Sequence, residues 1–331
     1  MNRLVNSVAA VTIAAAVALL LGADSSLAQA PAKATHGAIG GTYTPPRTPD
    51  GQPDISGMWQ PGSSNSQPME TPSSGQPWHP PAGYRAPGAY DFGAQEQTEA
   101  EEATVGRVTT VDHKPMIFDP PNGKIPLQPW AAAKRAEIIA NPNKAQFIDP
   151  RVRCLQSGVP RANLPVDYNS YQFIQKPGHV VLLYEWNHMT RVIPLDGRPH
   201  LDQKIRLALG DSRGRWEGNT LVVDVTNFTD ETWVVGHGAP PEGALASALV
   251  TGHGAFNSLD LHVVERFTLV DANTIRYQAT IEDPKVFTRP WSLSLIAFRR
   301  ALPGHQLFEY ACHEGNRDNM LLMTGLDIEA R

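Results

Sequence analysis

Cysteine is almost missing from this chain: Cys154 and Cys312 are the only two in 331 residues, and they form no CxxC pattern. That argues against a thioredoxin-like redox motif and a cysteine-based zinc site. Positive charge is also sparse. The net charge is −5 and no Lys/Arg cluster occurs, so the chain lacks the phosphate-neutralising stripe that nucleic-acid binding requires. The longest apolar run, residues 8–22, falls short of the ~20 residues of a membrane-spanning helix. There is no G-x-S-x-G elbow, no P-loop, no G-x-G-x-x-G before a helix and no EF-hand loop, which speaks against elbow-type hydrolysis, ATP use and hydride transfer. No pattern implies a cofactor, and no repeat of 20–50 residues is visible.

The first thing present is a leader. Arg3, the apolar run 8–22 and the small residues Ser25 to Ala30 have the three-part layout of a signal peptide, with cleavage expected after Ala28 or Ala30 and a periplasmic or secreted product. No cysteine lies near that site, so no lipid anchor is expected. In an oxidising compartment Cys154 and Cys312 are expected to pair, tying the start of the core to its last strand. Closing so long a loop contributes on the order of 4–5 kcal/mol in the chain-entropy treatment. Two buried thiols are the alternative.

Residues 31–130 hold 17 of the 29 prolines. Proline fixes φ and removes a backbone donor, so 31–128 is expected to be an extended lead, partly packed on the core, without long helices or central strands. Two islands stand out in it: 48–59, with turn residues and an apolar anchor, and 105–118, which alternates like a strand or two. Pro129 opens and Asn141-Pro142 closes one short helix, 129–140.

Beyond residue 168 the apolar period is two. Stretches 171–176 and 179–186 flank the turn Pro177-Gly178, and 188–195 follows. Residues 210–227 read as a hairpin: a charged strand ending at Trp216-Glu217, Gly218-Asn219 at the turn, and the β-branched run 221–226. Further strands are expected at 259–270, 274–282, 291–299 and 306–311, with one longer connection at 236–258. Eight or nine antiparallel strands joined mostly by short turns predict a mainly β chain whose meander closes into a barrel over 129–320, with a tail at 321–331.

Candidate chemistry is filtered by strand parity, since residues three apart on a strand face opposite sides. Glu185 and His188 are at that spacing, and converge only if Asn187 sits in a bend; Trp186 stands between as a ligand-lining aromatic. His262 and Glu265 are spaced likewise. Leu261, Val263, Glu265 and Phe267 share one face, and if it is the lumen, burial would raise the Glu265 pKa and suit it to acid–base work. The alternative is an ion pair with Arg276 or Arg289. Arg213 and Arg215, with Asp211, could clamp an anionic ligand group or form a salt-bridged rim. Asp224 faces either lumen or solvent. His313 and Glu314 follow Cys312 and would be held rigidly by a disulfide. A metal set of His188, His200 and His313 with a glutamate is conceivable by residue type alone.

Several stretches together resemble a family of exported bacterial proteins: Pro53 to Trp59, Tyr184 to His188, Asp196 to His200, Gly210 to Gly218 (GDSRGRWEG), Leu261 to Phe267 (LHVVERF), Asp283 to Trp291 (DPKVFTRPW) and Tyr310 to Asn316. The resemblance covers about 150–318 and implies membership, carrying over no catalytic residue. A distant likeness to lipocalin-like barrels rests on strand count and turns. Together these readings predict an exported barrel that binds a small, largely apolar molecule in its lumen. The alternative is a cofactor-independent lyase, isomerase or hydrolase using Glu185, His188, Glu265 and His313. A third reading is an interaction protein whose proline-rich lead docks a partner.

Overall fold

The computed structural model describes residues 43–62, 69–70, 115–141, 144–151, 153–164, 170–235 and 255–314. The leader, residues 105–114 of the second island, most of the 236–258 connection and the tail lie outside them.

In chain order the strands are β1 (Gly57–Pro61), β2 (Ile117–Asp119), β3 (Tyr171–Lys176), β4 (His179–Tyr184), β5 (Thr190–Pro194), β6 (Asp211–Glu217), β7 (Thr220–Thr226), β8 (Trp233–Val235), β9 (Ala255–Phe256), β10 (His262–Asp271), β11 (Thr274–Glu282) and β12 (Trp291–Arg300). Nine of them lie side by side in the order β5-β4-β3-β1-β12-β11-β10-β7-β6, every neighbour antiparallel. β2 adds to β12, and β8 with β9 forms a separate pair. The mainly β barrel expected from the period-two pattern is what forms.

Its two end strands, β5 and β6, come together without a hydrogen-bonded ladder, so the barrel is nearly closed. Gly214 on β6 makes this approach possible. A Cβ there would stand 2.6 Å from Ile193 Cγ2 and 2.7 Å from Leu195 Cδ2. A side-chain bond spans the same seam, with Arg191 Nε on β5 donating to Ser212 Oγ on β6 at 2.9 Å.

Two sequence expectations are corrected here. The proline-rich lead supplies a central strand after all: β1 sits between β3 and β12, and its Trp59 is fully buried. Of the prolines bordering β1, only Pro61 enters it, at its last position, so the missing donors do not interrupt the ladder. Residues 306–311 are not a strand. They run as a strap outside every ladder, so the disulfide ties residue 154 to a strap and not to a last strand.

Alternation places the core. Along β10, Val263, Glu265, Phe267 and Leu269 are buried while His262, Val264, Arg266 and Thr268 face outward. Inside, Phe173 packs edge-on against Trp59, Phe267 and Phe298, and Phe267 lies 5.0 Å from Tyr277. Each buried ring of this kind contributes roughly 1.5–3 kcal/mol by leaving water. The expected helix, α1 (Pro129–Ala140), has proline in its first turn and ends at Asn141, whose Nδ2 donates to the Glu137 carbonyl at 2.8 Å. It buries Ala131 and Ile138. Among the described residues no helix is long and apolar enough to cross a membrane.

Candidate functional site

The predicted site residues fall into three places. The first is the barrel interior. Glu265 is fully buried; it forms an ion pair with Arg191 and accepts from Asn163 Nδ2 at 2.8 Å and Tyr277 Oη at 2.7 Å. Tyr184 Oη donates to Asn163 Oδ1 at 3.0 Å, so a turn before β3, containing Asn163, is sewn into the lumen. The lumen face of β10 is therefore the one that carries Glu265, and its partner is Arg191 across the barrel, in place of Arg276 or Arg289. Burial opposes the charge on Arg191 and the Glu265 carboxylate outweighs it, leaving the guanidinium pKa above its ordinary value. Burial, and then the neighbouring carboxylate, hold the Tyr277 hydroxyl well above the usual tyrosine range.

The second place is the turn after β4. Trp186–His188 is a short 3₁₀ turn in which Asn187 and His188 have φ of 52° and 50°. Asn187 pays for nothing sterically unusual, since asparagine tolerates this region, and its Nδ2 donates to the Cys154 carbonyl at 3.0 Å. The bend does bring Glu185 and His188 to one object, but that object is the strap. Glu185 Oε2 accepts from the Phe308 N–H at 3.3 Å, His188 Nε2 accepts from the Tyr310 N–H at 3.3 Å, and the Trp186 ring lies 4.5 Å from that of Tyr310. Cys154 and Cys312 are joined by a disulfide at the end of the same strap. His313 is exposed just beyond it. Among the described residues only a backbone contact joins members of the predicted quartet, the His188 N–H to the Glu185 carbonyl at 3.4 Å, and no side-chain hydrogen bond links any two of Glu185, His188, Glu265 and His313.

The third place is the outer face of β6, β7 and β10, where side chains missed as a group form a continuous row. Asp211 Oδ1 accepts from Arg213 Nη1 at 2.6 Å and its Oδ2 meets His200 Nδ1 at 2.9 Å. His200 Nε2 meets Asp224 Oδ1 at 2.9 Å, and Asp224 Oδ2 meets His262 Nε2 at 3.1 Å. His262 Nδ1 looks toward Glu282 Oε2 at 3.7 Å. Asp224 thus faces outward. Both ring nitrogens of His200 point at carboxylate oxygens. The hydrogen bond from His262 holds the Asp224 carboxyl below its ordinary pKa, and the same bond raises His262 above the ordinary histidine value.

The row could have been found from register. The hairpin turn at Gly218-Asn219 puts Arg213 opposite Asp224, and β10 pairs Val264 with Asp224, leaving His262 one step along the outer face. His200 could not, because it arrives on a loop. The Arg213 and Arg215 guanidiniums do not form one clamp: Arg213 is spent on Asp211 and the Pro199 carbonyl, and Arg215 turns to Glu217. The conceivable metal set does not gather, since His188 meets the strap, His200 the row and His313 solvent. Among the described residues no group of three or more His, Cys, Asp or Glu is placed to hold a metal ion.

Comparison with family models, curated proteins and solved structures gives no match.

The row therefore has to be weighed on its own chemistry. It combines two imidazoles on the two oxygens of one carboxylate, a second carboxylate fixing the first imidazole, and one nitrogen, His262 Nδ1, that faces the Glu282 carboxylate at 3.7 Å. Around it, Leu201, Ile205, Leu207 and Leu259 are exposed. Their loops are joined: Arg206 Nη1 donates to the Leu259 carbonyl at 2.6 Å, and Asn227 Nδ2 to the Leu201 carbonyl at 3.0 Å.

Proposed function

We propose that this protein is an exported, cofactor-independent acid–base enzyme of the lyase, isomerase or hydrolase class, acting on a small, largely apolar molecule at the outer row. The observation that carries this reading is the convergence of His200 and His262 on Asp224. Asp224 accepts from His262 Nε2, which orients the ring and directs Nδ1 outward to give or take a proton. His200, Asp211 and Arg213 are positioning residues behind it. The exposed leucines and Ile205 supply an apolar rim for the substrate. Export is supported by the leader sequence and by a disulfide that suits an oxidising compartment. Two of the seven stretches that carry the family resemblance, GDSRGRWEG and LHVVERF, hold Asp211, Arg213 and His262 of this row.

The test is incubation of a periplasmic small-molecule extract with the full-length protein and with His262→Gln, followed by mass spectrometry. A compound consumed by the wild type and spared by the variant by roughly 10²–10⁴ in rate supports the reading. Equal conversion by both proteins overturns it.

A lumen ligand is the second reading, favoured by the aromatic lining of Phe173, Phe267, Phe298 and Tyr277 around the Arg191–Glu265 pair. A small apolar molecule entering there has to part these rings. Native mass spectrometry of the purified protein decides it, because a co-purified ligand gives a defined mass increment and an empty barrel gives none.

A further inference from the structure

Arg151 and Arg161 bring two guanidiniums together with the Asp149 carboxylate. Arg161 is paired with Asp149, whose other oxygen accepts from the Arg151 backbone N–H at 2.8 Å. Arg151 itself, only 5 % exposed, has no ion-pair partner among the described residues. Its guanidinium carbon lies 3.8 Å from the centre of the Trp186 ring. Arg151 Nη2 and Trp186 Nε1 are both shut off from solvent, and neither has a hydrogen-bond acceptor. Tyr310, on the strap, covers the indole at 4.5 Å. The spot is anchored by the Cys154 N–H, which donates to the Arg151 carbonyl at 3.0 Å, and by the disulfide to Cys312.

A buried charge without a counter-ion, and buried donors without acceptors, each destabilise a fold unless something completes them. Cation–π contact with Trp186 offsets part of this and leaves both donors unsatisfied. Burial first, and the Arg161 guanidinium second, push the Arg151 pKa down to about 10, so the group is still a cation at neutral pH.

We propose that Arg151 and Trp186 form a binding site for a small organic monocarboxylate, beneath the strap that ends at Cys312. One carboxylate supplies the single negative charge that Arg151, Arg161 and Asp149 together lack, and its oxygens can accept from Arg151 Nη2 and Trp186 Nε1. A doubly charged phosphate overshoots that balance. The site is independent of the outer row and of the activity proposed there.

The test uses the full-length oxidised protein, with acetate and propionate as probes titrated against chloride at constant ionic strength. Both carboxylates are expected to raise Tm by several °C, about 5 °C near saturation, as a ligand of the folded state does. Arg151→Met is expected to abolish the rise while folding as well as the wild type without probe, because it removes an unpaired buried charge. Trp186→Phe keeps the ring and deletes one donor, and is expected to weaken binding about tenfold. Should Arg151→Met fail to fold, Trp186→Phe and Arg151→Lys decide. Equal responses to carboxylate and chloride, or an unchanged carboxylate response in the variants that fold, overturn the proposal.

Discussion

Arg191 on β5 and Glu265 on β10 form an ion pair through the barrel interior, and the same guanidinium reaches Ser212 on β6 across the one seam that lacks a ladder. Side-chain electrostatics thus replace backbone pairing where β5 and β6 meet. Removing one member strands the other charge in a site 0–2 % exposed, at a cost of about 3–5 kcal/mol. Glu265→Gln and Arg191→Met are each expected to lower the urea midpoint strongly, and the double change by much less than the sum. Additive losses in a double-mutant cycle would show the pair to be uncoupled.

Gly214 marks the closest approach of that seam. Gly214→Val pushes side-chain atoms into Ile193 and Leu195, and is expected to destabilise by about 1–3 kcal/mol. Chemical denaturation measures it, and a neutral result would mean that the seam yields freely.

The outer row gives stability a definite pH window. His262 has a raised pKa when folded, so its contribution is full below the unfolded value and fades as pH rises through the folded one. Asp224 has a lowered pKa, so its contribution is present above the unfolded carboxylate value and fades as pH falls through the folded one. Both groups are about one-third exposed and solvent screens them, which limits the effect to roughly 1 kcal/mol or less. Tm against pH is expected to fall on the alkaline limb in the wild type and to flatten there in His262→Gln. An identical alkaline limb in both proteins would count against the bond.

Reducing the disulfide opens a loop with a sequence separation of 158 residues. The chain-entropy treatment puts the loss at about 5 kcal/mol. The strap is also held by long side-chain bonds from Glu185 and His188, by a 2.7 Å contact between Ser170 Oγ and His305 Nε2, and by the tilted contact of Tyr310 with the Trp186 ring. Cys312→Ser is therefore expected to lower Tm and to admit protease cleavage within 301–314 before global unfolding. Cleavage elsewhere first would place the weak point outside the strap.

Strands that alternate cleanly were legible from sequence. The bounds expected for 171–176 and 274–282 match β3 and β11, because tight turns and β-branched residues leave little choice of register. The division of β10 into two faces was legible by parity, and which of them lines the lumen was not. β1 was not, since its proline-rich surroundings hide a five-residue strand whose signal is the single anchor Trp59. Residues 306–311 look like a strand by composition, yet their backbone is engaged by the side chains of Glu185 and His188. The partner of Glu265 and the meeting of His200 with Asp224 depend on which distant segments cross, and local periodicity carries no information about that.

The placement of β1 between β3 and β12 sets the order of assembly. Trp59 pairs with Tyr171 on one side and Arg300 on the other, so both near-terminal stretches of the described fold must be present before the barrel can close. A chain leaving the ribosome can pair this strand with β3 midway, but its β12 edge stays open until residues 291–300 have emerged. Such long-range pairing makes folding slow. It also keeps the polypeptide threadable for most of its synthesis.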